Sequence, residues 1–226
     1  MTTAAEFLAR HRGGGLFTET FSQRLGSYLC VVAYRLGLSP TALTLGNLLL
    51  GLAASGVVVA YAHRMSPVIG VVALVGWQLA YALDCADGQL ARTTGRASPA
   101  GKRIDVLCDV ALQIALVSSV VAVAFQYKPD IPPWLGALFA GTWMVNLVTS
   151  VLQQDGAAHS LVTSNAPVIR MVKLVRDYGA VVTVIGLTLA LAPQWTPGLL
   201  VAFTVVNGVF LGVSIAATAR ASLGVR

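Results

Sequence analysis

Six nearly uninterrupted apolar stretches divide this chain, at about 41–62, 67–83, 104–125, 133–152, 178–192 and 197–219. Most approach the roughly 20 residues that a helix needs to cross the hydrocarbon core of a bilayer. The second is short but can extend through the Asp84 region, where a water-filled cavity tolerates polar residues; the fifth is the least secure by length. With 56% hydrophobic and 11% charged residues and a mean hydropathy of +0.76, the chain lies outside the balance of a soluble domain. Lipid offers the backbone no hydrogen-bond partners, and the alternation of a barrel strand is missing. The pattern therefore predicts an all-α, polytopic bundle of six transmembrane helices.

Lys and Arg placement predicts the orientation, because positive charge is retained on the cytoplasmic side. With the N-terminus inside, thirteen of the fifteen basic residues fall on that side, and only Arg64 and Lys128 lie outside. Anionic headgroups and a phosphate-rich substrate explain the net charge of +6 without nucleic acid. Residues 16–36 mix apolar positions with Glu19, Gln23, Arg24 and Arg35, which predicts an amphipathic helix lying in the membrane interface before the first span. The predicted division is a cytoplasmic N-terminal segment, 1–40, and a membrane domain, 41–226, with Pro40 at an early helical position. No charged segment leads promptly into an apolar core and cleavage site, so no removable signal peptide is expected, and the mature chain is expected to begin near Met1. Cys30, Cys85 and Cys108 show neither zinc-like spacing nor a disulfide framework, and are expected to be thiols with packing roles.

Four of the nine acidic residues, Asp84, Asp87, Asp105 and Asp109, fall in one stretch flanked by apolar sequence. A carboxylate at the centre of a membrane helix costs about 2.5–3.5 kcal/mol on insertion scales, so such residues usually mark an ion or substrate site. Asp84 and Asp87 are three apart and Asp105 and Asp109 four apart, so each pair shares one face of a helix. Two facing pairs make an oxygen-only site suited to Mg²⁺ or Mn²⁺, and two such ions could clamp an anhydride for displacement at phosphorus. Gly88 lets a phosphate or nucleotide approach closely, Ala91 keeps the helix face narrow, and Arg92 can pair with phosphate oxygens. The competing structural reading is a salt-bridge network in which Arg92, Arg96, Lys102 and Arg103 neutralise the aspartates.

The stretch resembles the signature of the CDP-alcohol phosphotransferase family, D-x2-D-G-x2-A-R-x8-G-x3-D-x3-D. It matches at Asp84, Asp87, Gly88, Ala91, Arg92, Gly101, Asp105 and Asp109 with every gap correct, and Leu38-Ser39-Pro40 and the six-span layout are also similar to the family. The resemblance implies an integral membrane enzyme of phospholipid biosynthesis, often a homodimer. Such an enzyme transfers a phosphoalcohol group from a CDP-linked donor, such as CDP-diacylglycerol, to an acceptor hydroxyl and releases CMP. It further implies that Asp84, Asp87 and Asp105 are metal ligands and that Asp109 completes the site and serves as general base. Gly88, Ala91 and Arg92 would border the CDP moiety, and Gly101 would allow close packing at the start of the third span. Thr41 departs from the pattern, since many relatives carry Asn after the Pro, and Asn47 is a candidate to compensate.

The acceptor is less visible. Ser160 to Asn165 are polar, and Arg170, Lys173 and Arg176 recur every three residues, a strip that on a helix could bind the phosphate of a soluble acceptor. Positive-inside topology explains the same strip, so a lipid or an unphosphorylated alcohol stays open as the acceptor. His159, the histidine nearest this strip, reads as an ordinary interfacial residue. Two other classes use intramembrane aspartates: Mg²⁺-dependent prenyltransferases, which break a carbon–oxygen bond, and ion-coupled transporters. The Gly-Ala-Arg arrangement argues against the first, and the lack of repeated halves against the second.

Overall fold

The structure is a computed structural model and describes residues 2–11, 13–154 and 177–223. Among these, the regular elements are all helical. A short α1 (Ala4–Leu8) precedes a π-helical turn (Thr18–Ser22) that runs straight into α2 (Gln23–Arg35). Six helices follow at the positions of the six apolar stretches: α3 (Pro40–Ala60), α4 (Pro67–Thr93), α5 (Pro99–Tyr127), α6 (Pro133–Gln154), α7 (Tyr178–Leu191) and α8 (Thr196–Ser222). Among the described residues, four segments are long and apolar enough to cross a membrane: α3, α4, α5 and Pro193–Ala216, which takes in most of α8. At 14 residues α7 is shorter, and on a rise of about 1.5 Å per residue its described length does not reach across a core of about 30 Å. Leu45, Leu49, Val71, Val75, Ile114, Val205, Val209 and Val213 stand exposed along these helices, as side chains facing lipid would.

Helix boundaries differ from the apolar stretches because capping, not hydropathy, sets them. Three helices open on Ser-Pro. Ser39, Ser66 and Ser98 accept from the backbone N–H of Ala42, Ile69 and Gly101 at 3.1, 3.4 and 3.0 Å, with Pro40, Pro67 and Pro99 at the first helical position. The Ser98 cap starts α5 at Pro99, well before the apolar run at 104, so Lys102 and Arg103 lie in its first turns. At the other end α4 continues past the apolar run to Thr93, where Gly95 takes φ +67° and the Arg96 N–H reaches the Ala91 carbonyl at 2.9 Å. That left-handed residue and 6→1 bond close the helix. Gly37, at φ +68° with Leu38 N–H on the Ala33 carbonyl at 2.9 Å, closes α2 in the same way. The whole acidic motif thus lies on two helices joined by a tight turn.

Small residues let the helices approach. A Cβ on Gly76 would lie 2.8 Å from the Cβ of Ala54, and one on Gly51 would meet both Leu112 and Ala80, so α3 seats against α4 and α5 together. Trp77 Nε1 donates to Ser55 Oγ at 3.0 Å across the α3–α4 seam. Gln78 ties α4 to α7 through the Gly179 carbonyl and the Thr183 hydroxyl, each at 2.8 Å. Phe139, Trp143 and Phe203 stack edge to face between α6 and α8, and Trp143 also donates to Gln113 of α5.

The tightest approach of one helix to another's backbone is at Gly70, whose Cβ would sit 2.3 Å from both the N and the Cα of Ala190. A backbone contact cannot swing aside as a side chain can. Gly70→Ala is therefore expected to force α4 from α7 and destabilise by about 1–3 kcal/mol, read as a lowered melting midpoint in detergent. An unchanged midpoint would show that the seam can slide.

Candidate active site

α4 carries Asp84 and Asp87, one turn apart, and α5 carries Asp105 and Asp109. The two helices pack chiefly on α3 rather than on each other, so their acidic ends meet through carboxylates. One oxygen from each of Asp84, Asp105 and Asp109 falls within 4.8 Å of the others. These three are half-buried, whereas Asp87 is buried at 7% exposure.

α3 aims two of these groups. Thr44 brings its hydroxyl to 2.5 Å from Asp87 Oδ2, and Asn47 Nδ2 donates to Asp84 Oδ1 at 3.3 Å. Both α3 residues are almost completely buried. Thr44 is a residue that sequence reasoning missed, since its role rests on a contact 43 positions away. Asn47, named only as a candidate compensation for Thr41, does reach the motif, and Thr41 itself stays exposed. Thr44→Val keeps the shape and removes the donor. A hydrogen bond to a charged group is worth about 1.5–3 kcal/mol, so catalytic efficiency should fall about ten- to a hundredfold, with Thr44→Ser near wild type. Equal activity in the two variants would mean that the hydroxyl does not orient Asp87.

The residues present fit divalent cations. Among the described residues Asp105 Oδ1 is buried with no hydrogen-bond partner, in a cluster whose other donors are carboxylate oxygens, and a buried acceptor left bare is costly unless a cation meets it. Arg96 and Arg103, two of the counter-ions offered by the salt-bridge reading, are exposed.

Arg92 folds back over the preceding turn. A Cβ on Gly88 would lie 2.8 Å from Arg92 Nη1 and 3.2 Å from Nη2, so the bare glycine gives the guanidinium its berth. Ala91 is half-buried beside it. The Gly101 backbone N–H donates the cap bond to Ser98 Oγ, and among the described residues only that Oγ, at 3.2 Å, comes within 4 Å of a Cβ placed at Gly101.

Behind the motif, α2 is clamped to α4. Gly26 sits where a Cβ would come 2.9 Å from the Ala82 carbonyl, and Gln89 Nε2 donates to the carbonyl and side-chain oxygens of Gln23 at 2.9 and 2.7 Å. Cys30 Sγ donates to the Ala86 carbonyl at 3.0 Å, and burial pushes its thiol up to about 12. Such a thiol is not a nucleophile at neutral pH. All three cysteines are free and buried, as packing residues are. Asp177, just ahead of α7, is also buried; it accepts from the Thr18 N–H and hydroxyl at 3.0 and 2.5 Å and thereby fastens the N-terminal segment to α7. The segment Ser160–Asn165, His159 and the strip Arg170, Lys173 and Arg176 lie outside the described residues.

The fold is thus a membrane-type helical bundle in which α4 and α5 bring a carboxylate cluster together, beside an arginine folded over a glycine. The model of the CDP-alcohol phosphatidyltransferase family matches residues 37–218, and the chain belongs to that family. Comparison with curated proteins gives no match.

Proposed function

We propose that this protein moves a phosphatidyl group from CDP-diacylglycerol to an acceptor hydroxyl with release of CMP, as an integral membrane transferase of phospholipid biosynthesis. The observation that carries this reading is the convergence of Asp84, Asp105 and Asp109 oxygens within 4.8 Å in a chain of this family. Asp84, Asp87, Asp105 and Asp109 would hold two Mg²⁺ or Mn²⁺ ions, which when bound neutralise the donor diphosphate. Gly88 and Ala91 leave room for the CDP moiety, Gly101 sets the start of α5 beside it, and Arg92 pairs with its phosphate oxygens. Asp109 takes the acceptor's hydroxyl proton as its oxygen attacks the phosphorus that bears diacylglycerol. The bond from that phosphorus to the bridging oxygen breaks, and CMP leaves with the electron pair.

In this reading residues 1–40 form a cytoplasmic segment whose α2 lies in the interface, with Tyr28, Val32 and Tyr34 exposed toward lipid. Residues 41–226 form the six-span domain, working as a homodimer, and the Lys and Arg distribution puts the site on the cytoplasmic side. The strip Arg170, Lys173 and Arg176 would bind the phosphate of a phosphorylated acceptor. Lys173→Ala should then raise the Michaelis constant for that acceptor more than for the donor; equal effects would direct the search to lipid or neutral alcohols.

The test is CMP release by purified protein given CDP-diacylglycerol, Mg²⁺ or Mn²⁺ and a panel of alcohols. Metal-dependent release that requires one acceptor is the expected result. No release across the panel, with CDP-diacylglycerol or other CDP-alcohols, would overturn it. A prenyltransferase or a transporter would free no CMP.

A further inference from the structure

The family match begins at residue 37, yet the segment before it reaches the motif. α1 opens on a capping box in which the Thr3 and Glu6 side chains each bond the other's backbone N–H. This short helix sends Phe7 into an apolar pocket made by Cys30 and Ala33 of α2, Leu43 of α3, and Ala86 and Leu90 of α4. Phe7 is fully buried there, with its ring edge-on to Tyr34 at 6.1 Å. Three residues further on, the Arg10 carbonyl accepts from Arg92 Nε at 2.6 Å. The same guanidinium turns its Nη1 edge over Gly88.

We propose that residues 2–11 form a strap that belongs to the donor site, in which Phe7 is the anchor and the Arg10 carbonyl sets the orientation of Arg92. Phe7 and Arg10 are positioning residues, acting on the substrate only through Arg92. An arginine side chain is rich in rotamers, and fixing one of its nitrogens before the donor arrives removes ordering that binding would otherwise have to supply. The bond uses a main-chain carbonyl, so the identity of residue 10 is immaterial and the anchor at Phe7 decides whether the carbonyl is in place. The proposal rests on the reading of Arg92 as a contact to the donor's phosphates.

The experiment compares Phe7→Ala, Phe7→Leu, Arg92→Ala and the double variant Phe7→Ala/Arg92→Ala in the full-length protein. Donor kinetics with CDP-diacylglycerol are measured alongside calorimetric binding of CMP to the resting protein. Phe7→Ala should raise the donor Michaelis constant and weaken CMP binding by about tenfold, with kcat within about twofold, and Phe7→Leu should restore both. In the Arg92→Ala background Phe7→Ala should add nothing, because its effect travels through that side chain. Thr3→Ala/Glu6→Ala, which unravels α1 from the surface without hollowing the pocket, should act in the same direction and serves if Phe7→Ala does not fold. Additive losses, or unchanged donor binding in the strap variants while Arg92→Ala weakens it, would overturn the strap. Unchanged donor binding in Arg92→Ala itself would overturn the reading of Arg92, and the strap with it.

Discussion

Asp84→Asn and Asp105→Asn are each expected to lose metal-supported turnover by about 10³-fold or more while the protein still inserts and folds. Asparagine keeps the volume and one oxygen of each side chain but removes the negative charge that draws a divalent cation. Asp84 is pre-oriented by Asn47, and Asp105 has a buried oxygen without a hydrogen-bond partner among the described residues, as an oxygen kept for a cation would be. Loss of preorganised charge stabilisation at a single group commonly costs about 10²–10³ in rate, and a defect in ion binding adds to that. Turnover and metal titration should be measured together: a right-shifted titration with a lower plateau is expected. Wild-type rate and metal dependence in both folded variants would end the assignment of these carboxylates to a metal site.

The unequal legibility of this chain follows from what each kind of signal depends on. Helices at the six apolar stretches could be placed from hydropathy because an apolar run has few ways to satisfy its backbone, although among the described residues only four segments are long and apolar enough to cross a membrane. Their ends could not, since Ser66-Pro67 and Ser98-Pro99 act through a single hydrogen bond each, and the polar turns they start carry no hydropathy. The motif aspartates were visible because helical spacing is local. Thr44 was not, because what defines it is the approach of α3 to α4, and a threonine in an apolar helix looks like any other small residue. The strap is the extreme case: α1 is too short for a periodic pattern, and the functional atom at Arg10 is a main-chain carbonyl that no side-chain motif encodes. Sequence reading located the acidic cluster and missed Thr44, which hydrogen-bonds it from α3.

Asp109 separates two roles that the cluster geometry alone joins. It contributes one oxygen to the group with Asp84 and Asp105, and a carboxylate has a second oxygen with which to receive a proton. Asp109→Asn preserves an oxygen for the cluster but cannot take up the acceptor's proton. Its kcat is therefore expected to drop about 10³-fold, within the range of about 10²–10⁴ for general-base catalysis, while CDP-donor binding changes by less than about tenfold. Asp105→Asn should instead lose donor binding and turnover together, because a site that no longer holds its cation leaves the diphosphate facing the remaining carboxylates. Calorimetric donor binding to the two variants, set beside their rates, makes the comparison. If Asp109→Asn loses donor binding as severely as Asp105→Asn, Asp109 is a ligand first, and the base must be sought among other groups near the acceptor.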